Sequence, residues 1–409
     1  VIEIREVRTQ AEKRRFLTFP WKIYRNDPLW VPPLLRDRER ATDPHRGMFF
    51  RGGYADFFTA YQHGKLAGTL CCSHENAADP RECDLGFFES INDLEVAQAL
   101  FEQAENWATG HGLSVLCGTY NLDREDGRGI LVEGRDRPPV VLCGHNPPYY
   151  VELFEKSGFG RRHDDNLAYA FQLRDGNPAL RRLFGLAEKV RRRRSFRVRG
   201  AKMEEVEAEI DRILILQNRA LAHLGASYDR AAIEQMVLPL KDLADPDLVL
   251  FIEADGEAVG WFPAVPNFNE VLIHLNGLRH PWDYVRALRF RRRQPRCLAI
   301  KSVAVLPEYW DSGAAVLLFA EMLQRAIAKG YQWLDLSLTG EDNPDTWDLA
   351  HRMGAHIYKR YRFFKKEIQA AQKNRPAQTK DVQSETGGAE PPVSSKVAGA
   401  GLEPATFGL

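Results

Sequence analysis

The residue types best suited to chemistry lie in one bend. The run Leu306-Pro307-Glu308-Tyr309-Trp310-Asp311-Ser312-Gly313-Ala314-Ala315 follows an apolar strand starting at Leu298 and opens a long amphipathic helix ending near Ala328. A strand that feeds straight into a helix leaves the first helical N–H groups unpaired and pointing at whatever sits above the turn, which suits a phosphate. Gly313, Ala314 and Ala315 are small, so backbone can approach a bulky pyrophosphate, with Ser312 beside them. The chain has no Walker lysine here, no glycine triplet and no suitably placed acid after the next strand, which excludes the P-loop and dinucleotide-binding readings.

The elements that must hold this bend are legible on both sides. Val316, Leu317, Phe319, Ala320, Leu323 and Ile327 recur at helical spacing, with Glu321, Gln324, Arg325 and Lys329 between them. Gly330 stops the helix, and Trp333-Leu334-Asp335-Leu336-Ser337-Leu338 alternates as a strand. The unit is strand, phosphate turn, helix, parallel strand. An ordinary crossover, whose small residues merely ease helix-on-sheet packing, is the competing reading.

These residues resemble the GNAT superfamily of acyl-CoA-dependent N-acetyltransferases. In that family the turn reads Gln/Arg-x-x-Gly-x-Gly/Ala after Val-x-Pro and binds the coenzyme A pyrophosphate; here Val305-Leu306-Pro307 precedes Trp310-Asp311-Ser312-Gly313-Ala314-Ala315. Trp310 stands where Gln or Arg is usual. The resemblance further implies a coenzyme contact from Asn343, at the start of a helix opened by Glu341-Asp342 and closed near Gly354, before a strand Ala355 to Phe364. Four residues before Gly354, where the family often has an acid Tyr, this chain has Ala350.

A second, degenerate copy is expected upstream. His63-Gly64 parallels Asp255-Gly256 as a tight hairpin turn, Trp107 to Tyr120 parallels Arg325 to Leu338, and Phe154 to Phe159 parallels Ala350 to Ala355. The expected fold class is therefore α/β (α+β mixed sheet), with two GNAT-like acyl-CoA N-acyltransferase lobes in tandem. The expected divisions are an N-terminal lobe over 1–175, a basic linker helix over 176–195, a cofactor-binding lobe over 196–368 and a disordered tail over 369–409. The first lobe is expected to lack cofactor, because Ser90, Asn92 and Asp93 place a cap where an anion would sit.

The resemblance implies acyl transfer from acetyl-CoA or another acyl-CoA to an amine, by direct attack in a ternary complex. Val303 and Val305 are the candidates for pantetheine and oxyanion contacts. Glu270, Glu308 and Glu341 could take the amine proton, and Tyr358 or Tyr361 could replace the missing acid. Asn269 and Glu270 lie in a segment read as a helix capped by Asn267, with Glu270 closing the box. Asn146, Tyr149 and Tyr150 are expected to project into the cleft between the lobes. Transfer of an aminoacyl or long-chain acyl group from a carrier protein or tRNA, and noncatalytic ligand binding, are the alternatives.

Composition narrows the partners. Lys and Arg total 56 and Asp and Glu total 56, so net charge is zero and a strongly electrostatic nucleic-acid binder is disfavoured. Cys71 and Cys72 are adjacent in a strand and face opposite sides, so with His74 and Cys83 they do not build a metal site; none is expected. The acceptor is expected to be a small-molecule or lipid amine. Arg286 to Arg293, mixed with Trp282, Tyr284, Leu288 and Phe290, reads as a solvated helix face or a peripheral membrane contact. No apolar run has the length of a membrane span and no signal peptide precedes Val1, so a cytoplasmic location is expected.

Overall fold

The computed structural model describes residues 1–75, 79–122, 127–174, 177–222, 228–238, 244–290, 293–300, 303–342, 350–351 and 354–368. Two mixed sheets organise them. The first has seven strands in the order Ile2–Glu6, Gly53–Gln62, Lys65–Glu75, Glu82–Ser90, Val115–Gly118, Phe364–Glu367, Gly160–Arg161. The second has nine: Ile130–Glu133, His356–Arg362, Asn166–Gln172, Trp333–Gly340, Cys297–Ile300, Glu257–Pro266, Val249–Ala254 and Phe196–Gly200, with Ala304–Val305 paired to Glu257–Pro266.

The sheets are interlaced. Phe364–Glu367, late in the chain, inserts antiparallel between Val115–Gly118 and Gly160–Arg161 of the first sheet. Conversely, Asn166–Gln172 lies between Trp333–Gly340 and His356–Arg362 of the second, and Ile130–Glu133 pairs with its edge. The single strand expected from Ala355 to Phe364 is thus two, His356–Arg362 and Phe364–Glu367, which enter different sheets. Alternation in sequence reports which face a residue takes and not which strand lies beside it.

Local chemistry sets the remaining elements. Gln62 and Lys65 flank His63-Gly64, with φ of 49° and 72°; Ala254 and Glu257 flank Asp255-Gly256, with φ of 52° and 87°. Both are two-residue hairpins needing left-handed backbone, which explains the paired glycines. Helix Leu94–Gly110 buries Val96, Ala97, Leu100, Phe101 and Ala104 on the first sheet. Helix Ala314–Ala328 lies in the second core, and helix Pro178–Arg193, started by the Asn177 side chain, packs on it through Leu180, Leu183 and Ala187. That second layer explains why Ala314 through Ala320 are all buried, not a single face. Cys71 and Cys72 belong to different core clusters, as adjacent strand residues must.

Among the described residues, no helix is long and apolar enough to cross a membrane. The expected tail over 369–409 lies outside the described residues.

Candidate active site

The second sheet forks directly beneath the bend. Cys297–Ile300 and Trp333–Gly340 run parallel and pair from Cys297 with Trp333 to Ile300 with Leu336. Beyond Leu336 the latter strand continues against Asn166–Gln172 through a bulge before Thr339, while Ala304 and Val305 pair away from it with Trp261 and Gly260. Val303 and Val305, both buried, flank the opening on one side. A parallel pair that separates leaves backbone N–H and C=O groups facing a gap, able to pair with an extended, amide-bearing chain.

The bend closes the top of this fork. Pro307–Ser312 forms a turn of 3-10 helix, Gly313 takes φ of 84°, and helix Ala314–Ala328 begins. Ser312 Oγ donates to the Tyr309 carbonyl at 2.6 Å and accepts from Ala314 N–H at 3.2 Å, so its hydroxyl is engaged inside the turn. The helical ladder starts with Leu317 N–H donating to the Gly313 carbonyl at 3.0 Å. Gly313 N–H has no backbone acceptor among the described residues, and the amides of Ala315 and Val316 precede that first rung in the opening turn of the helix. Amides at a helix start call for a partner from outside the helix. The Trp310 indole folds back and donates to the Val305 carbonyl at 2.9 Å, bracing strand against turn in place of a side chain directed outward.

Gly313 answers to a neighbour that sequence reading missed. A Cβ on it would lie 2.6 Å from Val190 Cγ2, in the helix Pro178–Arg193. Its smallness admits that helix on one side; the amides of the opening turn are a separate feature of the same bend.

The first sheet repeats the geometry and fills it. Glu82–Ser90 and Val115–Gly118 pair in parallel from Glu82 with Val115 to Leu85 with Gly118, then separate. The following helix is capped by its own acid: Asp93 Oδ1 accepts from Glu95 N–H at 2.9 Å and Val96 N–H at 3.4 Å. Tyr150 accepts from Ser90 N–H at 2.9 Å and donates to Glu89 Oε2 at 2.6 Å. Tyr149 donates to the Ser90 carbonyl at 2.7 Å, and Asn146 Oδ1 accepts from Leu131 N–H at 2.8 Å. The expectation that Asn146, Tyr149 and Tyr150 reach into a cleft between lobes is therefore corrected: their polar atoms are spent within the sheets, where backbone donors and acceptors await them.

The proposed acid–base residues occupy distinct environments. Glu270 accepts from Arg296 N–H and Cys297 N–H, both at 2.9 Å, and so anchors the start of a sheet strand. The expected capping box does not form: Asn267 Oδ1 accepts from Val141 N–H at 3.1 Å, and Asn269 donates to the Pro139 carbonyl at 3.1 Å, tying this segment to the proline loop. Glu308 pairs with Arg219, and Glu341 with Arg360 at 2.6 Å. Tyr361, fully buried, donates to the Gly144 carbonyl at 3.2 Å. Tyr358 donates to Asp335 Oδ1 at 2.6 Å; burial first, then the adjacent carboxylate, pushes its phenol well above the usual range. Asp335 lies one residue before the fork, on the face opposite Leu334 and Leu336. Asn343 and Arg352–Met353 lie outside the described residues, as does most of the helix expected there.

Two polar groups escaped sequence reading. Lys359 is 1% exposed and donates to the carbonyls of Gly134 and Arg137; burial lowers its pKa to about 8. Glu89, raised to about 7 by burial, joins Tyr150 and Tyr24, while His145 Nε2 meets Asp27 Oδ2 at 2.7 Å nearby. Only the alternation of Trp333 to Leu338, which sets Asp335 against its apolar neighbours, could have signalled the Tyr358 partner.

The Acetyltransferase (GNAT) family model matches residues 212–355, spanning the fork and the bend. The solved tandem GNAT protein from the clavulanic acid biosynthesis pathway superposes with a TM-score of 0.56 at 12% identity, covering 91% of this chain and 100% of that one. The chain is a GNAT-fold protein with two lobes in tandem. The chain is also 28% identical over 381 residues to the bacterial ceramide synthase of Caulobacter vibrioides (strain NA1000 / CB15N), covering 88% of this chain and 96% of that protein. To Protein YghO of Escherichia coli (strain K12) it is 27% identical over 377 residues, covering 89% and 95%.

Proposed function

We propose that the protein is an acyl-CoA-dependent N-acyltransferase whose C-terminal lobe holds the donor and whose acceptor is a lipid amine. The observation that carries this reading is the contrast between two similar helix starts. In the first lobe Asp93 supplies the anion itself; in the second no acid caps the opening turn above the fork, where Gly313 N–H has no backbone acceptor among the described residues. A pyrophosphate fits the second and would be repelled by the first. Gly313, Ala315 and Val316 would hold the diphosphate, and the strand Ala304–Val305 would align the extended arm.

The thioester supplies an activated carbonyl whose sulfur departs as a thiolate. The amine nitrogen forms the new C–N bond as the C–S bond breaks, and the amine proton must leave. We assign its removal to the Tyr358–Asp335 pair at the foot of the fork: the phenol takes a proton while passing its own to the carboxylate. Glu270, with both oxygens on backbone amides, serves to hold the strand. Val303 and Val305 lend backbone groups to the thioester side.

The likeness to the relative named bacterial ceramide synthase supports this acceptor class. A ceramide is an N-acylated long-chain amino alcohol, so the acceptor proposed here is an amine of that chemistry and the donor a long-chain acyl-CoA. Calorimetry with coenzyme A, followed by mass spectrometry of reactions with long-chain amino alcohols and acyl-CoAs, tests it. Saturable binding with amide formation is expected; turnover only with an acyl carrier protein or aminoacyl-tRNA donor would transfer the reading to those chemistries, and no binding up to millimolar coenzyme would end it.

A further inference from the structure

Helix Pro281–Phe290 is built inside out. Its acid, Asp283, is 2% exposed and accepts from His280 N–H at 3.0 Å and the Asn276 side-chain amide at 3.2 Å. Its apolar residues point the other way: Trp282, Val285 and Leu288 are each 66% exposed, and Tyr284 39%. Residues three apart share one side of a helix, so Trp282, Val285 and Leu288 form a continuous stripe widened by Tyr284. Arg286 and Arg289 fall along one edge of that stripe, and neither has an ion-pair partner among the described residues. Arg293 follows just beyond the helix, donating to His274 Nε2 at 2.8 Å.

The base of the helix is firmly held. Asn276 Oδ1 accepts from Trp21 Nε1 at 2.8 Å, and Gly277, at φ of 67°, leaves room for the Pro33 carbonyl, which a Cβ would approach to 2.4 Å. The exposed stripe is therefore carried on a helix whose start is tied through Asn276 and Asp283 to Trp21 and its own first turn.

We propose that this helix docks on a bilayer surface carrying anionic phospholipids. Aromatic and aliphatic side chains on one side of a short helix enter the headgroup boundary, while bordering arginines reach back to lipid phosphates. The charge chooses between occupants. The exposed side carries arginine and no acid, so two copies meeting by this stripe would bring like charges together. A ten-residue helix is also only about 15 Å long, too small a strip to supply the roughly 800 Å² per partner of a stable protein interface. An anionic lipid surface satisfies both the apolar stripe and its cationic edge. The inference rests on the helix alone and stands apart from the acyl-transfer reading.

Sedimentation of the full chain with vesicles, without any acyl donor, tests it. Vesicles of equal parts phosphatidylglycerol and phosphatidylcholine should pellet the protein, and pure phosphatidylcholine should do so far less. The double substitution Arg286→Gln/Arg289→Gln should weaken binding about thirtyfold, from the contribution of each basic residue near such a surface. Val285→Ser/Leu288→Ser should weaken it at least about tenfold. Melting temperature should stay unchanged in all of these, since the side chains are exposed. Protein remaining in the supernatant with anionic vesicles, or variants that bind as the parent does, would overturn the proposal. So would a dimer that Leu288→Ser dissociates while vesicle binding is absent. Coenzyme calorimetry without lipid reports separately on the donor site.

Discussion

Replacing Gly313 by Ala separates two reasons for a glycine. If the residue is small only so that a ligand can approach, the variant folds normally and loses the coenzyme. The structure adds a packing reason. A non-glycine residue at φ of 84° costs roughly 1–2 kcal/mol. The new Cβ would also fall 2.6 Å from Val190 Cγ2. Overpacking costs about 1–3 kcal/mol; Val190 is half-buried in the last turn of its helix and can yield, which favours the lower figure. Together these give a loss of about 2–3 kcal/mol. Val190→Ala removes the clash but leaves the backbone strain, so a double-mutant cycle should show Gly313→Ala and Val190→Ala coupled favourably by about 1 kcal/mol. Urea unfolding of the four proteins measures this, with coenzyme calorimetry alongside. Additive effects, or Gly313→Ala within about 0.5 kcal/mol of the parent, would refute the packing role and return the glycine to the ligand.

Tyr358→Phe removes the hydroxyl bonded to Asp335 at 2.6 Å and should reduce kcat by roughly 100-fold or more, while coenzyme affinity measured by calorimetry is retained; unchanged turnover would remove the pair from the reaction. Burial raises Glu89 from 4.5 to about 7, so the folded chain retains a proton that the unfolded chain releases. That contribution is complete below the lower value and disappears as pH rises through the higher one. The stability of the parent relative to Glu89→Gln should therefore fall between pH 5 and 8 by up to about 3 kcal/mol, read from urea unfolding at both pH values, and a constant difference would contradict it.

What could be read from sequence was what short-range chemistry determines. The hairpins at His63-Gly64 and Asp255-Gly256, the helix stop at Gly330 and the Asp93 cap all depend on residues within a few positions, and all are present. The strand–turn–helix unit from Cys297 to Gly340 was likewise legible, because its periods and its small residues are local. Long-range neighbours left no such trace. Val190 lies more than a hundred positions from Gly313, and nothing in Arg174 to Ser195 marks it as the side chain that meets the bend. The same blindness hid the partners of Asn267, Glu270 and Tyr358, each bonded to a group on another element.

Interlacing gives these hidden contacts a consequence for the site. Asn166–Gln172 comes from the N-terminal half yet forms the far wall of the fork, and it stays paired with Thr339 and Gly340 after Cys297–Ile300 has separated. Beyond Leu336 the strand Trp333–Gly340 thus satisfies its backbone through the ladder to Asn166–Gln172, with Cys297–Ile300 no longer paired on its other side. Phe364–Glu367 returns the exchange by closing the first sheet between Val115–Gly118 and Gly160–Arg161. Each sheet thus completes its hydrogen bonding with strands borrowed from the other half of the chain. A lobe that has filled its own fork with Asp93, Tyr150 and Glu89 still has a task, since it supplies the strand that pairs with one arm of its partner's fork.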